Sequence, residues 1–292
     1  MNRISDHLYT FDDTCSVYAV VNGDATLLID CGTHLNSSAI DAAGLPPVDH
    51  VLLTHFHRDQ CAGSSNFKAS GAEITVPYVE HRFFEETDLL KASYDPYDNY
   101  TAYYPTFGPL EDIIADRYAY DYDRINWRGL SFEVIPLPGH TFGAVGYLFE
   151  CDGNRVLACG DLLSSPGKMH EYFWSQWQYM DFKGHVNHME SLNTAASLDA
   201  DLILPGHGRP FACTAEAFST LQEPMEELYE LFHDRKYTYF KPEFRSVTEH
   251  VVEVSNAVRI GRNHGRTVSM AWYRLLHGAA SRSNLVSSPD TF

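Results

Sequence analysis

Positive charge is scarce in this chain. Its 21 Lys and Arg residues face 39 Asp and Glu, a formal net charge of −18. Such a surface has little to neutralise a phosphate backbone or an anionic bilayer, so nucleic acid and membrane are not expected partners. A small-molecule substrate remains the expected partner. Long apolar runs are missing too. None approaches the roughly 18 residues a membrane span requires. The start, Met1-Asn2-Arg3-Ile4-Ser5-Asp6-His7, passes directly into strand-like sequence without an apolar leader. No signal peptide and a cytoplasmic location are therefore expected. The six cysteines (Cys15, Cys31, Cys61, Cys151, Cys159, Cys213) form no C-x-x-C pair. Their spacing suggests no disulfide framework, and they read as small buried residues in a reducing compartment. Internal repeats and low-complexity segments are also lacking.

What is present is ordinary for a soluble globular protein: 292 residues, 44% apolar and 21% charged. That length suits one large domain, or a domain with an accessory part. Short β-branched runs at 17–21 and 26–29, joined by Asn22-Gly23-Asp24, predict a hairpin. Asn36 or Ser37 caps a helix through Ala43, and strands are expected at 49–53, 72–76, 130–137, 145–150, 155–159 and 202–204. Helices are expected at 78–92 and 185–198. Another should run from Thr214 to about His233, and two more beyond 246. Residues 93–123 carry Tyr94, Tyr97, Tyr100, Tyr103, Tyr104, Tyr118, Tyr120 and Tyr122, broken by Pro96, Pro105 and Pro109. So aromatic a segment argues for order: a lid, a pocket wall, an interface, or an insertion packed on the outside.

One pattern recurs four times. An apolar strand ends, the chain turns, and a potential metal ligand follows at once. Val51–Leu53 leads to His55, His57 and Asp59; Phe132–Leu137 leads to His140; Val156–Cys159 leads to Asp161; Leu202–Leu204 leads to His207. If the backbone stays extended past Thr54, His55 and His57 point the same way and can share one ion. Imidazole with carboxylate suits zinc, iron or manganese better than calcium or magnesium. One lone histidine is usually structural, but six candidate ligands at strand ends point to a metal centre.

The set His55-Phe56-His57-Arg58-Asp59, Pro138-Gly139-His140-Thr141, Gly160-Asp161 and Pro205-Gly206-His207-Gly208 resembles the motifs of the metallo-β-lactamase-fold superfamily. The resemblance covers residues 1 to about 215. It implies an α/β fold, a four-layer αββα sandwich over residues 1–213, followed by a mainly helical C-terminal extension at 214–292. It also implies that His55, His57 and His140 hold a first metal, that Asp161 bridges or sits near it, and that Asp59 and His207 belong to a second site. The departure is Gln60, where the superfamily pattern H-x-H-x-D-H ends in histidine. A glutamine oxygen is a poorer zinc ligand than imidazole. One firmly held zinc is therefore expected, with a second weak or absent, unless Gln60 ligates through its oxygen.

The resemblance implies hydrolysis of a small soluble thioester, lactone or other ester or amide by metal-bound hydroxide, with Asp59 orienting the water or taking its proton. A lid tyrosine, His170, His185 or His188 is a candidate helper for the leaving group. The helical C-terminal part is similar in layout to glyoxalase II. Two alternatives stand beside this reading: a mononuclear iron oxidoreductase of the persulfide-dioxygenase type, and a non-catalytic binder with a degenerate site. The sequence is silent on oligomeric state.

Overall fold

The Asn22-Gly23-Asp24 turn does form a hairpin. Ser16–Asn22 (β3) pairs antiparallel with Ala25–Ile29 (β4) in the computed structural model, which describes residues 1–88, 107–170 and 183–233. Asn2–Arg3 (β1) and Leu8–Asp12 (β2) extend this sheet on one side. On the other side Val48–Leu52 (β5), Glu73–Pro77 (β6) and Arg117–Ala119 (β7) add in parallel, giving seven strands in the order β1 to β7. Every residue of β4 is buried, as expected of a strand covered on both faces.

Between these strands lie short helices: Ser37–Ala42 (α1), Arg58–Cys61 (α2), Ser64–Ala69 (α3) and His81–Glu85 (α4). Asn36 caps α1 by accepting the Ala39 N–H at 3.1 Å.

Among the described residues the second sheet has six strands. Arg124–Trp127 (β8), Leu130–Pro136 (β9), Val145–Cys151 (β10) and Asn154–Gly160 (β11) run antiparallel in sequence order. Leu202–Pro205 (β12) joins β11 in parallel, and Phe211–Ala212 (β13) closes the edge. Lys183–Ala196 (α5) and Ala215–His233 (α6) cover its outer face. Thr214 caps α6 through the Ala217 N–H at 3.2 Å.

Three apolar clusters separate four layers. Leu27, Ile29, Phe132, Tyr147 and Phe149 fill the space between the sheets. Ile40, Phe67 and Phe84 hold α1, α3 and α4 on the first sheet, and Leu192, Phe218 and Leu221 hold α5 and α6 on the second. Each cluster removes large aliphatic and aromatic side chains from water, at about 25 cal/mol per Å² of apolar surface. The order is αββα, as the motif resemblance implies.

Some expectations need correction. The helix expected at 78–92 is a 3₁₀ turn at Tyr78–Glu80 followed by α4, which ends at Glu85. Residues 93–106 of the Tyr-rich segment 93–123, and the helices expected beyond 246, lie outside the described residues. Its C-terminal end is no external insertion: β7 is a strand of the first sheet. Strand β8 and the short β13 escaped sequence reading because two to four residues carry too little periodicity. Five of the six cysteines are buried and free, and Cys213 is half-buried. No helix among the described residues is long and apolar enough to cross a membrane.

Candidate metal centre

The strand ends converge at one edge of the two sheets. β5 stops at Leu52, and residues 54–56 bend rather than continue extended. The bend still brings His55 and His57 together, with ring centroids 4.7 Å apart. His140 arrives from the loop after β9, its ring centroid 4.8 Å from His55 and 4.6 Å from His57. Asp161 arrives from the end of β11. Its Oδ2 lies 3.1 Å from His140 Nε2 and 3.7 Å from His55 Nε2. Ligand atoms of these four residues all lie within 4.8 Å of one another, and all four residues are buried.

Backbone geometry makes this approach possible. Gly139 has φ +147°, and a Cβ there would stand 2.6 Å from His188 Cα on α5. A Cβ on Gly206 would collide with Asp161 Oδ1 and approach Gly160 C at 3.1 Å. Both glycines permit contact that no side chain would tolerate. The sheets are joined here as well: Val145 N–H donates to Thr54 O at 2.9 Å, and Tyr147 Oη donates to Leu53 O at 2.7 Å.

Three residues support the site that sequence reasoning did not single out. Asp30, at the end of β4, accepts the Thr54 N–H at 2.8 Å and the Thr54 hydroxyl at 2.9 Å. Thr54 Oγ1 also lies 3.0 Å from His55 Nδ1. A hydroxyl donating to Asp30 has a lone pair left for His55 Nδ1–H. That arrangement places the proton on Nδ1 and leaves Nε2, which faces Asp161, as the bare nitrogen. Burial pushes Asp30 up to about 8; a cation in the centre favours its ionised, accepting form. Glu80 is the third. Its Oε2 accepts the Phe56 N–H at 3.2 Å and its Oε1 the Gly143 N–H at 2.9 Å. Burial pushes Glu80 up to about 7.

Asp59 and His207 sit beside the group of four and meet each other. His207 Nε2 is 2.9 Å from Asp59 Oδ2 and 3.7 Å from Asp161 Oδ2. Gln60 is fully buried, and its Nε2 donates to Asp161 Oδ1 at 3.2 Å and lies 3.3 Å from His207 Nε2. Its Oε1 has no hydrogen-bond partner among the described residues. Turning the amide over would set oxygen against the Asp161 carboxylate, so the nitrogen belongs there.

Electrostatics follow from burial and these neighbours. Burial lowers His55 to about 4, and together with His140 and His55 it holds His57 well below the imidazole range. Burial alone would raise Asp161, but His207, His140 and His55 around it hold it below the usual carboxylate range. Burial alone would lower His207, yet Asp161 and Asp59 lift it to about 9. His55 and His57 are thus neutral and Asp161 is anionic near neutral pH, the state a metal needs in its ligands.

The group fits a divalent metal on its own terms. His55 Nε2 is buried with no hydrogen-bond partner among the described residues, a state that is costly unless something else occupies the nitrogen. Imidazole and carboxylate donors suit zinc or iron.

The other candidates are placed differently. His185 Nε2 bonds Met225 O at 2.7 Å, and His188 Nε2 bonds Leu162 O at 2.8 Å, so both secure helices. His170 stacks on His207, with centroids 4.9 Å apart. Tyr118 and Tyr120 pack against Tyr78, centroids 5.9 and 4.4 Å away.

Comparison with known proteins agrees with this geometry. Hydroxyacylglutathione hydrolase of Aeromonas salmonicida is 32% identical over 123 residues, covering 41% of this chain; the chain spans only 35% of that enzyme's length. The probable metallo-hydrolase YqjP of Bacillus subtilis is 25% identical over 259 residues, covering 76% of this chain and 77% of the relative. A metallo-beta-lactamase family protein of Thermus thermophilus superposes with TM-score 0.60 at 22% identity, over 79% of this chain and 83% of that one. A mutant of the Legionella gormanii metallo-beta-lactamase FEZ-1 also gives 0.60, at 17% identity, over 81% and 96% of the two chains. The sequence profile of the metallo-beta-lactamase superfamily matches residues 10–207, from the second strand through His207, and the chain belongs to that superfamily.

Proposed function

We propose that this chain is a metal-dependent hydrolase that cleaves a small thioester, lactone or related ester with one zinc ion. The observation that carries this reading is the buried group His55, His57, His140 and Asp161, whose ligand atoms lie within 4.8 Å of one another. Those four residues would hold the ion. Zinc bound there supplies a Lewis acid and a source of nucleophilic water near neutral pH.

The chain's own residues provide the rest. Asp59 has 34% of its side chain open to solvent, which suits it to take a proton from an attacking water. His207, lifted to about 9 by Asp161 and Asp59 against its burial, brings positive charge beside two carboxylates. Gln60 favours a single ion. Its amide nitrogen engages Asp161 Oδ1, leaving Oδ2 toward His140 and His55. Thioesters stand first among substrates because several relatives are named hydroxyacylglutathione hydrolase.

The test is hydrolysis by zinc-loaded protein of a hydroxyacyl thioester of glutathione, of lactones and of phosphoesters. The proposal expects carbonyl-ester cleavage that is lost in His55→Ala and His140→Ala. Full activity in zinc-free protein would overturn it. Bound iron with oxygen uptake on a persulfide would replace it with an oxidoreductase.

A further inference from the structure

Glu80 is 0% exposed and pairs with no cation among the described residues; its carboxylate accepts the backbone N–H groups of Phe56 and Gly143, and Thr141, next to His140, adds a side-chain hydrogen bond. A carboxylate taken out of water without a cation is costly, and an apolar residue would pack the same space without that cost. What the carboxylate reaches gives the reason for its presence. Phe56 lies between His55 and His57. Gly143 lies three residues after His140, in the loop between β9 and β10. Each carboxylate oxygen holds one of these loops, at 3.2 Å and 2.9 Å. The fit is tight: a Cβ on Gly143 would stand 2.7 Å from both Glu80 Cγ and Val79 Cβ. Only glycine lets the His140 loop come close enough to share the carboxylate.

We propose that Glu80 is a positioning residue for metal binding, a clamp that fixes the loop of His55 and His57 against the loop of His140. This rests on the metal reading above. The two loops come from different sheets, and their hydrogen bonds to one carboxylate set the separation of the three imidazoles. Partners that orient ligands in this way are worth about 10- to 100-fold in metal affinity.

The experiment measures zinc affinity by chelator competition, and melting temperature with and without zinc, for the full chain and two variants. Glu80→Ala removes both acceptors. Glu80→Gln keeps one carbonyl oxygen and sets an amide N–H₂ against the other N–H. Zinc affinity should fall about 10- to 100-fold in Glu80→Ala and by less in Glu80→Gln. The rise in melting temperature on adding zinc should shrink in the same order. A purely structural role would lower both melting temperatures together and leave zinc affinity unchanged. Should Glu80→Ala fail to fold, Glu80→Gln and Gly143→Ala carry the test, because the alanine Cβ pushes the same contact apart. Zinc affinity within about twofold of the parent in the folded variants overturns the clamp while leaving the metal reading intact. A parent chain that binds no zinc overturns both.

Discussion

Replacing Thr54 with valine keeps the shape of the side chain and deletes one hydroxyl. That hydroxyl serves two partners, Asp30 at 2.9 Å and His55 Nδ1 at 3.0 Å. All three residues are buried, at 1%, 2% and 0% exposure, so water does not replace it. Asp30 keeps the Thr54 N–H at 2.8 Å, and the main loss falls on His55. An imidazole N–H left unpaired in a buried site costs about 1–3 kcal/mol. The ring is also freed to take the wrong tautomer or to rotate, and lost orientation of this kind lowers metal affinity about 10- to 100-fold. Such a drop corresponds to roughly 1.4–2.7 kcal/mol of binding free energy. The assay is chelator competition for zinc, with urea unfolding of the metal-free protein alongside. Thr54→Ser restores the hydroxyl and should recover most of the affinity. Thr54→Val protein that binds zinc as tightly as the parent would refute the Asp30–Thr54–His55 relay.

Other substitutions follow from the same geometry. Gly206→Ala drives a Cβ into Asp161 Oδ1 beside Gly160, so metal content should collapse while circular dichroism shows a folded chain. Gln60→His removes the amide from Asp161 Oδ1 and supplies an imidazole beside His207, so the metal-to-chain ratio should rise from about one toward two. Asp152 tests electrostatics away from the centre. Burial alone would lift it, but hydrogen bonds from Ser5 and His7 win and hold it at about 2. Its folded-state pKa is depressed, so its stabilisation is present above about pH 4 and lost as pH falls toward 2. Asp152→Asn should lower stability by about 1 kcal/mol at pH 7, the scale of a near-surface pair, and by only a small fraction of that at pH 2, where the folded-state carboxylate is about half protonated. Equal losses at both pH values in urea titrations would contradict that assignment.

The readable parts of the sequence were those where one local pattern carries the message. An apolar strand followed at once by Gly and His, or by Gly and Asp, is visible without any tertiary knowledge, and His55, His57, His140 and Asp161 do come together. Asp59 and His207 were legible as neighbours of the centre, but their bond to each other was not. The supporting residues were less legible. Asp30 directly follows a wholly buried strand and is itself buried, and an ionisable residue there was a signal that could have been used. Glu80 gave no signal: it is one glutamate in a charged stretch, and its role depends on bonds to residues 24 and 63 positions away. The bend after Leu52 was equally hidden, because convergence of the imidazoles is set by α2 and the second sheet rather than by strand periodicity.

The central claim is a single zinc held by three histidines and one aspartate, with Gln60 standing where a second ion's histidine would be. Elemental mass spectrometry of the purified chain, read as metal per polypeptide, addresses it most directly. The account predicts about one zinc per chain, lost in His140→Ala and retained in Gln60→Ala. Two zinc ions per parent chain, or none after zinc loading, would contradict it.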